Sequence, residues 1–358
     1  MQIFDVAIVG SGPAGATCAA FCARAGLQTL LLERETFPRE KVCGDCLNPA
    51  CWQVLERLGV SDGIRALPHG KLTHVEFAAI GGRVISVNLP PDAEIAVKRS
   101  LFDEVLMRRA IEHGAQVIEG ATVDAIAQPE SAGGAWQISS GSDAFHARTL
   151  VAADGRNSTV ARLLGLLPKI ERERVGLQTH VPLPSGFGDR VVLQFLPDGY
   201  SGQAPVSASE LNLCLVGRPA AMPALRSWAE RYFGVARDHV WRTITPLRRA
   251  ALEPARVGLF LVGDAARVVE PFTGEGIYYA LHSGELTAEA IVAASGNGDA
   301  DAAARAYSAK HERLYRGRLW VNRIARAAVL SPRVTSALLR ARILPPQLLS
   351  ALTTKIVR

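Results

Sequence analysis

One short pattern near the start of the chain restricts the fold more than any other. Gly10-x-Gly12-x-x-Gly15 lies between the apolar run Phe4-Asp5-Val6-Ala7-Ile8-Val9 and a small-residue stretch reaching Ala25, which Gly26 ends. The run reads as a buried parallel strand and the stretch as a helix. Thr29 to Leu32 reads as a second apolar strand and finishes at Glu33. Strand, turn, helix and strand make a β-α-β unit of about 30 residues. In such a unit the first glycine permits the turn, the second lets backbone approach a pyrophosphate, and the third lets helix pack on sheet. Free N–H groups and the positive helix end favour the diphosphate. Glu33, 23 residues after Gly10, can accept both ribose hydroxyls of FAD or NAD. Gly10, Gly12, Ala14, Gly15, Glu33 and the adjacent Arg34 are therefore candidate cofactor contacts.

Two later motifs choose between these cofactors. Val151-Ala152-Ala153-Asp154-Gly155 reads as a strand ending in an Asp-Gly turn. Gly258 to Val262 reads as a short buried strand that delivers Gly263-Asp264 at its carboxyl end, where ligands bind in open parallel sheets. An acid there can hold ribityl hydroxyls. Either aspartate alone also reads as a capping or turn residue. In this order and spacing, with the glycine triplet, the motifs resemble the flavoproteins of the para-hydroxybenzoate hydroxylase superfamily over roughly residues 1 to 295. After Asp264 comes Glu270-Pro271-Phe272-Thr273-Gly274-Glu275-Gly276-Ile277. Aromatic hydroxylases of the superfamily carry Gly-Gln-Gly and a following Asn, so the stretch looks like the geranylgeranyl reductase branch. A helix start there can turn N–H groups and positive charge toward a flavin.

That resemblance implies FAD as cofactor. It implies contacts from Asp154, Gly155, Gly263, Asp264, Pro271, Gly274, Gly276 and Ile277. Lys41-Val42-Cys43-Gly44 matches a Lys/Arg-x-Cys-Gly segment of the branch and implies that Lys41, Cys43 and Gly44 lie beside the isoalloxazine. Arg99 matches a family arginine that contacts FAD, and Val123 an adenine-side backbone contact. The branch's aromatic Tyr-x-Trp-x-Phe-Pro motif is reduced here, within Leu196 to Pro205, to Tyr200 and Pro205. Halogenases of related fold carry Trp-x-Trp, and none of the five tryptophans lies two positions from another.

The expected fold is α/β: a doubly wound Rossmann-type FAD domain with an inserted antiparallel sheet and a helical tail. Residues 1–70, 96–165 and 246–295 are assigned to the FAD domain, 71–95 and 166–245 to the substrate domain, and 296–358 to the tail. The inserted strands are expected at Leu72–Phe77 and Val84–Leu89 around Gly81-Gly82, and at Gln178–Leu183, Val191–Phe195 and Leu211–Val216. Helices are expected from Arg99 to His113 and from about Gly276 to Ala294, with breaks in the tail at Ser331-Pro332 and Pro345-Pro346.

Charge is uneven. Residues 301–358 hold 12 Lys+Arg against 2 Asp+Glu, while the preceding 300 hold 28 against 32. Leu319, Trp320 and Ile324 oppose Asn322, Arg323 and Arg326 in an amphipathic turn. This tail reads either as a solvated face or as a peripheral contact with acidic lipid or a protein partner. Nucleic acid is not expected as a partner. No apolar run reaches the roughly 18 residues of a membrane span. The N-terminus has no basic leader, so a cytoplasmic location is expected, with peripheral contact at the inner membrane face as the extension. Cys43-x-x-Cys46 has no second metal-spaced pair, so no zinc site is expected.

Three functions fit. A reductase or dehydrogenase would move hydride between flavin and a small or lipid-like apolar substrate, with Cys43 as first candidate proton donor and Tyr200 as second. Cys43 also reads as a plain buried thiol, or as one half of a redox pair with Cys46. A monooxygenase would hydroxylate or epoxidise an aromatic or polyketide-type substrate; Gly274-Glu275-Gly276-Ile277 points away from it. In the third reading FAD is structural. No second glycine triplet follows the first, so NAD(P)H, if it is the donor, docks transiently.

Overall fold

The computed structural model describes residues 2–91, 94–131, 133–168, 173–343 and 346–357. The Ile3–Val9 strand sits inside an eight-stranded sheet, between Asp143–Ala152 and Thr29–Leu32, and is parallel to both. Gln116–Ile118 extends one edge and Leu259–Leu261 the other, again in parallel. Val6 and Ile8 face the helices Pro13–Arg24, Arg99–Glu112 and Gly276–Asn297. Ala7 and Val9 face the opposite layer, built from Trp136, Ile138, Val160 and Ala161. Burial on both faces explains why the strand is an unbroken apolar run rather than an alternating one.

The Asp143–Ala152 strand begins well before Val151, the first residue of the apolar run read as a strand from sequence. Its first half forms a hairpin with Trp136–Ser140, and Ala125–Ala127 adds a further antiparallel strand. That half is exposed and alternating, so it lacks the apolar signature of the second half.

A seven-stranded sheet runs in the order Arg242–Ile244, Val175–Pro182, Glu210–Gly217, Gly199–Pro205, Arg190–Leu196, His74–Ala78, Val84–Asn88. The expected hairpin is present, with Gly81 and Gly82 at φ +94° and +92°. The sheet is not wholly antiparallel as expected: Arg190–Leu196 pairs in parallel with His74–Ala78. Gly199–Pro205 is a strand that sequence propensity hides, because glycine and proline weaken strands. Here glycine is required. A Cβ on Gly199 would lie 2.1 Å from the Val216 carbonyl oxygen. A three-stranded sheet of Cys46–Leu47, Glu94–Ala96 and Gly70–Leu72 bridges the two larger ones.

The tail returns across both layers. Tyr307 of the Ala300–Tyr315 helix donates its hydroxyl to the Leu261 carbonyl at 2.8 Å, and Tyr315 stacks on Tyr279 at 4.2 Å. Leu319–Leu330, Pro332–Arg340 and Pro346–Val357 follow. The break at Ser331-Pro332 is present; Pro345 lies outside the described residues. The amphipathic turn differs from expectation at Asn322, which is buried, while Trp320 and Ile324 are exposed, at 47% and 48%. Among the described residues no helix is long and apolar enough to cross a membrane.

Candidate cofactor and substrate site

A cavity of about 1080 Å³ opens where the two large sheets and the tail meet. It lies at the top of the roughly 300–1,000 Å³ range of ligand clefts, the size a dinucleotide needs. Every site residue expected from the sequence lines it except Gly15.

The three glycines do different work. Gly10 has φ +101°, and a Cβ there would meet the Ala153 carbonyl oxygen at 2.7 Å. A Cβ on Gly15 would stand 1.9 Å from the Gly10 oxygen, so Gly15 serves helix–strand packing and not the cavity wall. Gly12, at φ −77°, meets nothing closer than 3.9 Å, and those nearest atoms are the Nη2 atoms of Arg39 and Arg99. The space in front of Gly12 is left for a ligand.

Both arginines are fixed from behind by one fully buried carboxylate. Asp103 accepts from Arg39 Nη1 at 2.9 Å and from Arg99 Nε and Nη2 at 2.7 Å each. Glu33 accepts the backbone N–H groups of Ser11 (2.8 Å) and Glu35 (3.1 Å), which seats it at the end of the second strand. Lys41 is brought down to about 8, first by burial and then by Arg99, Arg39, Arg34 and Arg156. A buried lysine beside four further cations marks a site short of negative charge, which a diphosphate provides. The chain thus fits FAD at this end. Arg39 and Asp103 were not expected from sequence. The Arg99–Asp103 spacing of one helical turn is a usable signal for the second; Arg39 has none.

Asp154 and Asp264 flank the same cavity. The Oδ2 of Asp154 accepts the Val160 N–H at 3.0 Å, in the first turn of the Thr159–Leu163 helix that Ser158 caps. Asp264 pairs with Arg156 at 2.9 Å. Gly155, Val123, Ala14 and Gly263 line the wall nearby. The 270–276 loop carries Pro271, Gly274 and Gly276 into the wall, and Ile277 follows on the helix. Its carboxylates are locked. Glu270 takes Arg174 in a two-point pair at 3.0 and 2.7 Å. Glu275 takes Arg318 at 3.1 Å and Asn322 at 2.9 Å, and Asn322 Oδ1 accepts the Glu270 N–H at 2.9 Å. Arg318 and Asn322 of the tail therefore hold a loop that sequence reading gave to the cofactor alone.

Across the cavity stands Cys43. Its sulfur accepts the Asp45 N–H at 3.3 Å, and its carbonyl accepts Asn212 Nδ2 at 2.9 Å. Burial pushes the thiol up against the pull of Arg99, so it stays protonated. Asp45 adopts φ +62° and is buried. Its Oδ2 meets His180 Nε2 at 2.9 Å and Asn212 Nδ2 at 2.5 Å. This Asp45–His180–Asn212 group, which fixes the Cys43-Gly44 turn, escaped the sequence reading; only proximity in the fold joins it. All six cysteines are free thiols, and Cys46 donates to the Gly44 carbonyl rather than meeting Cys43. Tyr200 packs edge-on to Phe272 at 5.1 Å, and burial holds its phenol well above the usual range.

Beyond Tyr200 the cavity turns apolar. Val75, Phe77, Val191, Leu193 and Phe195 of the seven-stranded sheet face Ala328, Leu339, Leu349 and Leu352 of the tail.

A family model described as FAD binding domain matches residues 4–184. The chain belongs to this FAD-binding family. It is also 32% identical over 316 residues to a menaquinone reductase of Mycobacterium tuberculosis, with 80% of this chain and 76% of the relative covered. It is 28% identical to digeranylgeranylglycerophospholipid reductase 1 of Methanopyrus kandleri, over 84% and 83% of the two chains. Among solved structures, the flavin-dependent brominase Bmp2 superposes with a TM-score of 0.81 at 22% identity, over 99% of this chain and 94% of the other. That likeness shows the fold alone. The family, the cofactor cradle and the reductase relatives together make the chain an FAD-dependent oxidoreductase of the geranylgeranyl-reductase-like branch.

Proposed function

We propose that this flavoprotein reduces an apolar, lipid-like substrate carrying a prenyl chain, with residues 71–95 and 166–245 forming the substrate side. The observation that carries the reading is the apolar chamber, continuous with the cofactor cradle and walled by Val75, Phe77, Leu193 and Phe195 against Leu339, Leu349 and Leu352. Two relatives whose names state reduction of a menaquinone and of a digeranylgeranyl lipid support it.

FAD in the cradle supplies the hydride equivalent. Arg39, Arg99 and Lys41 would hold its diphosphate, Glu33 its ribose, and the Gly274–Ile277 helix start its ring. Cys43 holds a proton at Sγ, in the neutral state its burial favours, and is the first donor to the substrate; Tyr200, a neutral phenol, is the second. Asn212 holds Cys43 by its carbonyl, the Asp45 N–H meets its sulfur, and His180 fixes the Asp45 carboxylate. The tail encloses the far end and excludes water. NAD(P)H docks transiently to deliver electrons. The basic tail, with Trp320 and Ile324 at the cavity rim among arginines, suits contact with an acidic lipid surface, through which such a substrate enters from the cytoplasmic face.

The test is product analysis. Holoprotein, NADPH and a prenylated naphthoquinone are incubated without air, and the quinone is recovered after reoxidation. The mass of one added H₂ on the side chain, or quinol formed before reoxidation, supports the reading. Unchanged lipid across several prenyl substrates overturns it, and Cys43→Ala with full turnover removes Cys43 from the chemistry.

A further inference from the structure

The buried carboxylates around the cavity are nearly all accounted for. Asp103 and Glu270 have arginines, Asp45 has His180 and Asn212, and Glu33 has two backbone N–H groups. Glu94 differs. It is 9% exposed and lines the cavity, and where Asp45 and Asp154 each leave one shielded oxygen unpartnered but bond through Oδ2, Glu94 makes no hydrogen bond among the described residues, its Oε2 being shielded as well. Among the described residues it also has no cation. It opens the Glu94–Ala96 strand, the middle of the three-stranded sheet, opposite Leu72. The titratable groups that face it are the thiols of Cys46 and Cys51, which burial keeps neutral. Lys71, next to Leu72 on the paired strand, is exposed on the other side.

A lone carboxyl in such a wall serves no packing purpose. An isobuttressed apolar side chain would be more stable there, because a buried polar group without a partner costs free energy. Burial alone pushes Glu94 up to about 8, so at neutral pH it carries a proton and presents an O–H donor.

We infer that Glu94 is the polar anchor of the substrate chamber: it donates a hydrogen bond to a carbonyl oxygen on an otherwise apolar ligand. The inference rests on the reading of the chamber as the substrate site and narrows the substrate to a molecule with an oxygen-bearing head, such as a quinone ring. Cys46, in the strand beside Glu94, belongs to the Cys43-Gly44-Asp45-Cys46 turn, so an anchored head lies on the same wall as the proposed donor thiol.

The experiment uses FAD-loaded protein, with menadione and carbonyl-free methylnaphthalene as probes, and reads binding from the perturbed flavin absorbance. Wild type binds menadione about tenfold tighter at about pH 6 than at about pH 10, as one hydrogen bond lost to ionisation requires, while the hydrocarbon shows no such change. Glu94→Gln, which keeps a donor and the volume, binds menadione without the pH dependence. Glu94→Leu binds both probes alike at either pH. If Glu94→Leu retains both the preference for menadione and its pH dependence, the anchor is elsewhere and the inference falls. If neither probe perturbs the wild-type flavin at any pH, the chamber is not the substrate site, and the broader reading falls with it.

Discussion

Gly12 and Gly15 sit three residues apart in one turn, yet alanine at each should fail in opposite ways. A Cβ on Gly15 would stand 1.9 Å from the Gly10 oxygen and 2.9 Å from the Ala153 Cβ. Reaching even a tight contact of 3.2 Å requires the helix to back away by about 1.3 Å, and overpacking of this kind costs about 1–3 kcal/mol or more. The helix has no room to retreat. Its far side is pressed by the Gly276–Asn297 helix, where a Cβ on Gly284 would lie 2.3 Å from the Ala14 oxygen. Gly15→Ala should therefore sit at the upper end, about 3 kcal/mol, a Tm loss of about 6 °C or more at 2 °C per kcal/mol. Gly12→Ala meets only arginine tips at 3.9 Å and has an ordinary φ of −77°. The apoprotein should keep its Tm or gain slightly, by about 0.4–1 kcal/mol from the stiffer unfolded chain. The methyl instead occupies ligand space, and FAD affinity should fall at least about tenfold, or 1.4 kcal/mol. Thermal melts of both apoproteins and flavin fluorescence titrations read the two effects separately. A Gly12→Ala apoprotein as unstable as Gly15→Ala, or one that binds FAD like wild type, refutes the division of labour.

Lys41 gives a pH signature. Its folded value of about 8 lies below the ordinary 10.5, so the apoprotein carries the full cost of a buried charge below pH 8 and sheds it as pH rises from about 8 to 10.5. Bound diphosphate restores the lysine's charge; calorimetry in buffers of different ionisation heat should show proton uptake on FAD binding above about pH 8, with affinity falling as pH rises, and neither effect in Lys41→Met. Asn322→Leu removes both the donor to Glu275 and the acceptor for the Glu270 N–H. Glu275 keeps Arg318, but the Glu270 N–H is left buried and unpaired at about 1–3 kcal/mol, so this variant should lose stability by about that amount and release FAD during dilution, whereas Arg323→Ala on the same helix should do neither.

The parts of the site that were legible in sequence are those a strand, a turn and a helix start create locally. Gly10, Glu33, Asp154 and Asp264 each follow a buried strand, whose burial on both faces leaves a short apolar run that its length and flanking glycines mark as a strand. The parts that were not legible depend on pairings between distant segments. Arg39 meets Asp103 across 64 residues, Asp45 meets His180 across 135, and Asn212 across 167. No local period records such meetings. Gly199–Pro205 was hidden for the opposite reason: its composition signals a turn, but close approach to Glu210–Gly217 selects glycine within a strand. The tail's Asn322 looked like a solvent residue because its partners, Glu270 and Glu275, lie in a loop whose sequence carries a cofactor motif.

On the proposed function, this FAD protein gives its electrons to an apolar substrate and not to oxygen. The most direct measurement reduces the purified yellow protein with NADPH in the absence of air, then adds either prenylated naphthoquinone or air alone and follows flavin reoxidation by stopped flow. Rapid reoxidation by the quinone, slow reoxidation by air and no oxygen consumption tied to substrate in an electrode are expected. Fast oxygen uptake coupled to an oxygenated product, with the anaerobic quinone leaving the flavin reduced, would contradict the proposed function and make the protein a monooxygenase.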